Sequence, residues 1–471
     1  MRIEEDFLGK IEVPKDAYYG IFTVRASSTF KLSGILVRPQ IIRSVAIIKK
    51  CAAKVNSDLG KLDKKVASAI MSASDEVICG KFNNQFIIDE FQAGAGTPLH
   101  MNTNEVIANR AEELLGGKKG QYKIVTSNNH VNMSQSSNDV VPTAIRIATY
   151  LMAKELLAES SLLVKTLYEK GKLYKDTIKI GRTHLQDAVP MTYGQTFDAF
   201  ARAIEKDMKG IENSLEFVCE LGIGGTATGS GITAHPEFRF KLVDEISKET
   251  KSKFTAAKDT VETTQSMNDL SRLSGALRSY ATTLNRIAND LRILVSGPKG
   301  GISELIIPEI EPGSSIMPGK INPSIPEAIN LLCFKVIGND LAISLGSQSG
   351  QLELNFATPL IGQSLVESLT LLTNGTHMFN EKCIKGTKVD LKNTSENFNK
   401  SICYATAFNP YLGYSLVSKL VRESLDSNVS LRELIISKGI LESTDVDQII
   451  KSATGPSLVD EKIKSRVKIK S

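Results

Sequence analysis

The sequence predicts a mainly α-helical protein, because apolar residues recur at helical spacing along three long segments. Residues 143–170 contain neither glycine nor proline, and Pro142 suits the first turn of a helix that starts there. In the other two segments the apolar positions advance by steps of three and four: Phe197, Phe200, Ile204, Met208, Ile211, Leu215 and Val218, then Leu270, Leu273, Leu277, Ala281, Leu284, Ile287, Leu291 and Leu294. Such a repeat is typical of near-parallel helices in a bundle.

These predicted helices are long for one globular domain, at more than ~25 residues or roughly 38 Å each. Small residues also lie off the apolar seams, at Ala199, Ala203, Ala276 and Ala288, and they indicate a second buried face. A helix that is buried on all sides needs a cover. The simplest cover is another copy of the chain.

Shorter helical runs flank the long helices, at 40–58, 63–80 and 103–115 before them and at 414–425 and 430–438 after them. A chain of 471 residues exceeds a single typical core, so two or three domains are expected. We place an N-terminal helical domain at 1–137, a central long-helix domain at 138–392 and a small C-terminal helical domain at 393–471.

One glycine motif has the form of a nucleotide-binding fingerprint. Residues 222–227, GIGGTA, fit the pattern G-x-G-x-x-A. That pattern binds a nucleotide only between a strand and the start of a helix. A predicted helix at 197–221 precedes it here, so Gly222 is interpreted as the C-terminal cap of that helix. No nucleotide cofactor is expected.

Composition excludes several classes of partner. The net charge is +5 with acidic and basic residues interspersed, whereas nucleic-acid binding requires clustered basic residues. The basic run at 461–471 is interpreted as a solvated terminus. Six scattered cysteines without a CxxC pair suit reduced, mostly buried thiols in the cytosol. The N-terminus lacks a signal-peptide core, and no stretch approaches the ~18 apolar residues that span a bilayer. We expect a soluble, cytoplasmic protein that binds neither nucleic acid nor membrane.

The segment 313–323, GSSIMPGKINP, is the most informative part of the chain. It carries two adjacent serines, a lysine and an asparagine (Ser314, Ser315, Lys320 and Asn322), and the glycine-rich stretch GPKGG precedes it. Glycine allows the backbone to approach a ligand closely, while the polar side chains donate hydrogen bonds to an anion. A long loop in a helical region is uncommon unless it is functional or disordered. The pattern therefore predicts a catalytic loop rather than a linker.

This loop resembles the signature loop of the aspartase/fumarase superfamily, whose members eliminate across a Cα–Cβ bond to release fumarate. The likeness covers nearly the whole chain, and four further segments match in the family's order: GAGT (94–97), NTNEVIANRA (102–111), HVNMSQSSND (130–139) and GRTHLQDAVPMT (181–192). The resemblance implies a three-domain, almost wholly α-helical fold with a core of about 20 helices in a homotetramer.

The resemblance also implies the residues of the active site. Proton removal next to a carboxylate creates an aci-carboxylate, which needs one base and a dense set of hydrogen-bond donors. The matched motifs contain no His/Asp/Glu cluster suited to a metal, so no metal and no organic cofactor are expected. The implied catalytic residues are Ser314, Lys320, Asn322 and His184. The implied substrate-binding residues are Thr97, Ser136, Ser137, Asn138 and Thr183, together with His184, Lys320 and Asn322.

Ser314 matches the first serine of the family's GSS and is the predicted base. A free serine hydroxyl is far too weakly acidic for this role, so positive charge and aligned N–H groups must activate it. The alternative is that Ser314 or Ser315 caps the next helix. Lys320 and Asn322 are expected to hold the carboxylate at the carbon that loses its proton; the alternative for Lys320 is a solvated loop lysine.

For three other motifs the sequence leaves more than one role open. His184 either binds substrate or is a structural histidine. His130 lies near the leaving group or supports its own loop. The residues 136–138 precede a predicted helix, so their hydroxyl and N–H groups face an anion at its N-terminus, cap the helix, or do both.

Two segments depart from the family pattern. After Thr97 the family usually has small polar residues and an asparagine before Met-Asn, whereas this chain has Pro98, Leu99 and His100. A rigid proline and a bulky leucine are expected to reshape the pocket for the substrate carboxylate. Residues 126–129, TSNN, replace the usual HPND, which argues against the auxiliary site associated with that element.

Local features favour one substrate within the superfamily. The segments AYYG (17–20), SIPEAIN (324–330), CFKVIGND (333–340) and GQLELN (350–355) resemble those of aspartases, whereas the Ser136-Ser137 pair matches fumarases. The resemblance therefore implies reversible deamination of L-aspartate to fumarate and ammonia. The alternatives are the fumarate–malate reaction of a class II fumarase, another amino-acid lyase, or a catalytically inactive structural relative.

Overall fold

The computed structural model describes residues 1–468, and 61% of the chain is helical. The predicted all-α fold class is confirmed. Residues 469–471 of the predicted basic tail lie outside the described residues. The part of that tail that the structure describes is not simply solvated, because Ile463 is buried and packs in an apolar cluster near the C-terminus.

The described residues form seventeen α-helices. Those of the N-terminal half are α1 (Ile21–Thr29), α2 (Pro39–Asp58), α3 (Lys64–Ile78), α4 (Thr97–Leu114), α5 (Ser137–Leu173), α6 (Tyr193–Val218) and α7 (Phe238–Thr250). The others are α8 (Thr260–Gln265), α9 (Asn268–Leu294), α10 (Ser324–Ser347), α11 (Thr358–Phe379), α12 (Leu391–Lys400), α13 (Asn409–Leu412), α14 (Tyr414–Ser427), α15 (Leu431–Ser437), α16 (Ser443–Ser452) and α17 (Glu461–Lys464).

The predicted apolar seams are buried. All eight seam residues of α9 lie in the core, and so do those of α6 except Met208, which is half-buried. Helical periodicity predicted these positions correctly because each of the two helices keeps one buried and one exposed face along its whole length.

The predicted start of α5 is wrong. The helix begins at Ser137, six residues before the predicted start, and contains Pro142 within it. Proline lacks one backbone donor but is compatible with helical backbone near the start of a helix. The early start brings the polar residues 136–138 to the helix N-terminus itself.

Within residues 1–468, eight short strands form four two-stranded sheets, which the sequence analysis did not predict. They are β1 (Arg2–Asp6) with β2 (Gly9–Val13), β3 (Ile178–Thr183) with β4 (Gln186–Thr192), β5 (Glu220–Leu221) with β6 (Thr255–Ala256), and β7 (Leu305–Ile306) with β8 (Lys388–Val389). Only β5 and β6 pair in parallel. The β3–β4 hairpin carries most of the segment GRTHLQDAVPMT.

The interpretation of Gly222 as a helix cap is wrong, because α6 ends at Val218 and β5 follows it. No helix opens on the third glycine of GIGGTA; the next helix, α7, begins at Phe238. The segment therefore lacks the strand-to-helix turn that a dinucleotide requires. Its backbone serves another purpose, described with Asp139 below.

The chain divides into two compact units. Unit 1 comprises Met1–Ala158, Asp207–Thr282 and Leu332–Asn374, and unit 2 comprises Glu159–Lys206, Thr283–Leu331 and Gly375–Ser471. The core of unit 1 includes apolar residues of α2, α5 and α7, whereas that of unit 2 gathers the helices of the C-terminal region against Ile180 of β3. The division into 1–137, 138–392 and 393–471 stays a prediction.

Helix α10 contradicts the expectation that no segment is long and apolar enough to cross a bilayer. By length and composition alone it qualifies, with a mean hydropathy of 1.5 over its most apolar window. Its charged residues interrupt the apolar run but pair with neighbouring helices, Lys335 with Glu367 and Asp340 with Arg278. A core helix of a bundle has the same composition and the same kind of ion pair.

The same helix leaves large apolar side chains uncovered. Phe334, Ile337, Leu341 and Leu345 are 57%, 37%, 63% and 51% exposed, and their spacing places them along one face of α10. A contiguous apolar surface of this kind usually marks an interaction site.

Four of the six cysteines are buried, as predicted: Cys51, Cys333, Cys383 and Cys403. Burial raises the pKa of the Cys51 and Cys383 thiols to about 12. These thiols therefore remain protonated and unreactive near neutral pH.

Candidate active site

The loop at 313–323 is closed by hydrogen bonds between its two ends. The Gly313 N–H donates to the Lys320 carbonyl at 2.7 Å, and the Asn322 side-chain amide donates to the Gly313 carbonyl at 2.7 Å. A Cβ at position 313 would lie 2.7 Å from the Lys320 carbonyl oxygen. Glycine is therefore required for this closure, which gives the loop a defined shape.

Within the loop, the Ser314 hydroxyl oxygen accepts two backbone N–H groups. Ile316 donates at 3.2 Å and Met317 at 3.0 Å. Two N–H dipoles aimed at one oxygen favour negative charge on that oxygen. The alternative that Ser314 or Ser315 caps the next helix is wrong, because α10 begins only at Ser324.

The remaining polar groups of the loop differ in exposure. Lys320 and Ser315 are exposed, whereas Ser314 and Asn322 are half-buried. The Lys320 ammonium group can therefore reach a bound anion. One N–H of the Asn322 amide is already used to close the loop, which leaves its other N–H for a ligand.

His184 lies at the tip of the β3–β4 hairpin. It forms a two-residue turn with Leu185, and both residues have positive φ, at 55° and 61°. Positive φ at both positions defines a type I′ turn, which normally requires Asn-Gly or a similar pair. Backbone strain in non-glycine residues is concentrated at functional sites. Thr183 and His184 are exposed at this tip.

The β3–β4 hairpin is held by the buried carboxylate of Glu304. Arg182 of β3 donates to it at 2.6 Å and 3.3 Å, the Tyr193 hydroxyl at 2.9 Å and the Asn397 amide at 3.2 Å. Burial and the neighbouring Glu304 raise the pKa of Tyr193 far above its usual range, so this hydroxyl stays a donor. Thr183 therefore extends from a fixed strand.

Thr97 is the first residue of α4 and follows Gly96, whose φ is 86°. Its hydroxyl donates to the Gly94 carbonyl at 2.7 Å. A Cβ at Gly96 would lie 2.8 Å from the Val141 side chain, so glycine is required next to Thr97. In this conformation the Thr97 hydroxyl proton is used within its own turn.

The polar residues at the start of α5 are tied to the buried Asp139. The Ser136 N–H donates to this carboxylate at 2.9 Å, and the N–H groups of Gly224 and Thr226 donate to its other oxygen at 3.0 Å and 2.9 Å. Burial raises the pKa of Asp139 to about 6, and the N–H dipoles limit the rise. The GIGGTA segment thus serves to hold the N-terminus of α5. Asn138 donates to a neighbouring carbonyl at 2.8 Å.

Ser137 contacts His100, which departs from the family pattern. His100 in turn contacts Lys49, which the sequence analysis did not single out. Its hydroxyl lies 2.8 Å from His100 Nδ1, and His100 Nε2 lies 2.6 Å from Lys49 Nζ. Lys49 and His100 are 0% and 1% exposed. Burial lowers the pKa of each well below its usual value, and the charge of Lys49 lowers that of His100 further.

His130 supports its own loop. Its Nδ1 accepts the Thr126 N–H at 2.9 Å, at the start of the π-helical turn Ser127–Val131. This contact favours the structural alternative for His130 over a place near the leaving group.

The structure groups the predicted residues into local sets. Ser136, Ser137 and Asn138 share the start of α5 in unit 1, while the hairpin tip and the 313–323 loop belong to unit 2. A cavity of about 570 Å³ in unit 2 is lined by other residues, among them Lys175 and Asp198.

Within residues 1–468, no group of three or more His, Cys, Asp or Glu side chains is placed to hold a metal ion.

Comparison with known proteins identifies the family. The lyase family matches residues 9–338, and the family of fumarase C C-terminal regions matches residues 405–454. The chain belongs to the aspartase/fumarase superfamily of lyases. An aspartate ammonia-lyase of a Bacillus species is 43% identical over 98% of this chain and 99% of its own length, and that of Bacillus subtilis is 41% identical over 95% and 94%.

Other members of the superfamily are nearly as similar. A class II fumarate hydratase of Photorhabdus laumondii is 40% identical over 96% of this chain and 97% of its own length. The crystal structure described as fumarate lyase:delta crystallin from Brucella melitensis, bound to cobalt, has a TM-score of 0.93 at 40% identity over 97% of this chain and its own entire length. The class II fumarase of Schistosoma mansoni has a TM-score of 0.91 at 36% identity over 96% and 99%. These similarities confirm the helical fold of the superfamily for the single chain.

Sequence reasoning missed three supporting residues of this superfamily member. Glu304 and Asp139 hold the hairpin and the start of α5, and Lys49 contacts His100. Lys49 did leave a signal, since it lies on the apolar face of α2, four residues after Val45 and three before Ala52. A lysine on such a face is rarely buried without a polar partner.

Proposed function

We propose that this protein deaminates L-aspartate to fumarate and ammonia. The observation that carries the proposal is the Ser314 hydroxyl, which accepts two backbone N–H groups in a loop that also presents Lys320. Membership of the lyase superfamily supports the elimination, and the relatives named as aspartate ammonia-lyases support the substrate.

In the proposed reaction Ser314, as the alkoxide, removes a proton from the substrate carbon next to a carboxylate. The electron pair moves into that carboxylate and gives the aci-carboxylate; its return forms the carbon–carbon double bond and breaks the carbon–nitrogen bond. Lys320 and Asn322 hold the carboxylate on which charge develops. Preorganised donors of this kind lower the barrier because they need no reorientation during the reaction.

The other predicted residues bind the substrate. Ser136, Ser137 and Asn138 offer hydroxyl and amide groups at the N-terminus of α5, where the helix dipole favours an anion. Thr97, Thr183 and His184 add further polar groups. The proposal requires neither a metal nor an organic cofactor.

We also propose that the site is completed in a homotetramer. Thr183, His184 and Lys320 are exposed on the single chain, although a reacting carboxylate needs an enclosed site. The uncovered apolar face of α10 offers a surface for association. The three-domain division and a cytoplasmic location belong to the same proposal.

Fumarate hydration is the second candidate function. The Ser136-Ser137 pair favours it, and so does the similarity to class II fumarases. Against it, the AYYG segment resembles aspartases. That segment is also a structural anchor, because the Tyr18 hydroxyl donates to Glu113 and the Gly20 N–H donates to the buried Glu105.

We expect L-aspartate to yield fumarate without an added cofactor, whereas L-malate is left unchanged. The absorbance of fumarate, followed after addition of either compound to the metal-free protein, measures both reactions. Malate turnover with inert aspartate would identify a fumarase instead. Turnover of neither compound would favour the inactive structural relative.

Ser314→Ala should reduce kcat about thousand-fold with the fold unchanged, because loss of an essential proton acceptor costs ~10²–10⁴ in rate. Lys320→Ala should affect kcat and KM together, since its charge acts on the ground-state carboxylate and on the aci-carboxylate alike. Ser315→Ala is the matched control and should have the smaller effect of the two serine variants. Steady-state kinetics with L-aspartate measures kcat and KM for each variant. A larger loss of kcat in Ser315→Ala than in Ser314→Ala would assign the base to Ser315.

Leu341→Asp should dissociate the tetramer, because it places a charge on the uncovered face of α10. Leu425→Asp on α14 is the control, since the two leucines are 63% and 64% exposed on the single chain. Sedimentation velocity measures the oligomer. Equal behaviour of the two variants would exclude the α10 face as the interface, and a fully active monomer would refute the composite site.

A further inference from the structure

The buried contact between Lys49 and His100 fixes where the ring proton of His100 lies. Lys49 Nζ has three acceptors within hydrogen-bond distance: His100 Nε2 at 2.6 Å, Gln135 Oε1 at 2.9 Å and Asn132 Oδ1 at 3.0 Å. An ammonium group has three protons and no lone pair. Its three protons therefore match these three neutral acceptors, one for each.

Burial lowers the pKa of Lys49, but the charge of Asp139 opposes that shift, and the three neutral acceptors around Nζ fit the ammonium form. Two buried cations 2.6 Å apart would repel strongly, so His100 is neutral when Lys49 is charged. Nε2 accepts from Lys49, and the single proton of the neutral ring is then on Nδ1. Nδ1 donates that proton to the Ser137 hydroxyl oxygen at 2.8 Å.

This arrangement determines what Ser137 can offer to a ligand. A hydroxyl has one proton and two lone pairs. Since one lone pair accepts from His100, the proton of Ser137 points elsewhere. In the opposite tautomer, Nδ1 would accept that proton and Ser137 would present only lone pairs, which repel a carboxylate. Ser137 is half-buried and is the first residue of α5.

We propose that His100 is a positioning residue, held in one tautomer by Lys49, that keeps the Ser137 hydroxyl as a hydrogen-bond donor to a substrate carboxylate. This inference rests on the proposed function in one respect, that Ser137 binds the dicarboxylate. It assigns a role to a residue that departs from the family pattern and that touches no substrate itself.

The test is a double-mutant cycle on ligand binding rather than on turnover. Succinate is the probe, because it has two carboxylates and no leaving group, and isothermal titration calorimetry gives its Kd. The variants are His100→Leu, Ser137→Ala and both together, in the full-length protein. Contacts that act through one another give a non-additive cycle.

His100→Leu should weaken succinate binding about tenfold, the loss expected for one hydrogen bond to a charged group. In the Ser137→Ala background the same change should have almost no effect, because the hydroxyl that His100 orients is gone. His100→Asn should bind within about threefold of the wild type, since an amide also has one acceptor for Lys49 and a donor for Ser137.

His100→Leu leaves one proton of a buried ammonium group without an acceptor and risks misfolding. If His100→Leu misfolds, the variant Lys49→Met/His100→Leu takes its place in the cycle, because it removes the buried cation together with the acceptor. If the fold-changes in the Kd of succinate caused by the His100 and Ser137 substitutions simply multiply in the combined variant, the proposal is overturned. Unchanged succinate affinity in Ser137→Ala would also overturn it. A coupled cycle without fumarate from L-aspartate would leave the positioning role intact and refute the proposed reaction alone.

Discussion

The buried carboxylate of Asp139 accepts hydrogen bonds from the backbone N–H groups of Ser136, Gly224 and Thr226, and this interaction fixes the start of α5. A buried carboxylate is stable only where such donors replace its hydration. Glu112 holds a second loop in the same way, through the N–H groups of three successive residues. Loops tied to buried carboxylates keep a defined shape without regular secondary structure, so polar groups at their ends point in fixed directions.

That constraint suits an elimination next to a carboxylate. The reaction needs donors already aimed at the oxygens where charge develops. Three sets of groups are held separately: two N–H groups on the Ser314 oxygen, the His184 hairpin anchored by Glu304, and Ser137 bonded to His100. Each set depends on local hydrogen bonds within its own part of the chain. In our proposal, association of the chains brings the sets to one substrate.

The sequence predicted the helices well and the irregular parts poorly, for physical reasons. The seam of α9 recurs over seven turns, so its burial follows from periodicity alone. The β3–β4 hairpin escaped prediction because His184 and Leu185 adopt positive φ without the usual turn residues. The local pattern places Lys49 on the apolar face of α2 but cannot identify His100 as its partner, because that contact is tertiary. The site residues were proposed through family resemblance, and their roles stay predictions.

The central claim is that one active site combines residues of different chains. Its most direct test mixes Ser314→Ala with Ser136→Ala/Ser137→Ala, after dissociation and joint refolding, and measures fumarate formation from L-aspartate. Some sites of a hybrid tetramer would receive an intact serine loop and an intact α5 N-terminus from different chains. We predict activity well above that of either refolded variant alone. Hybrids that form, as native mass spectrometry would report, yet stay as inactive as their parents would contradict the claim.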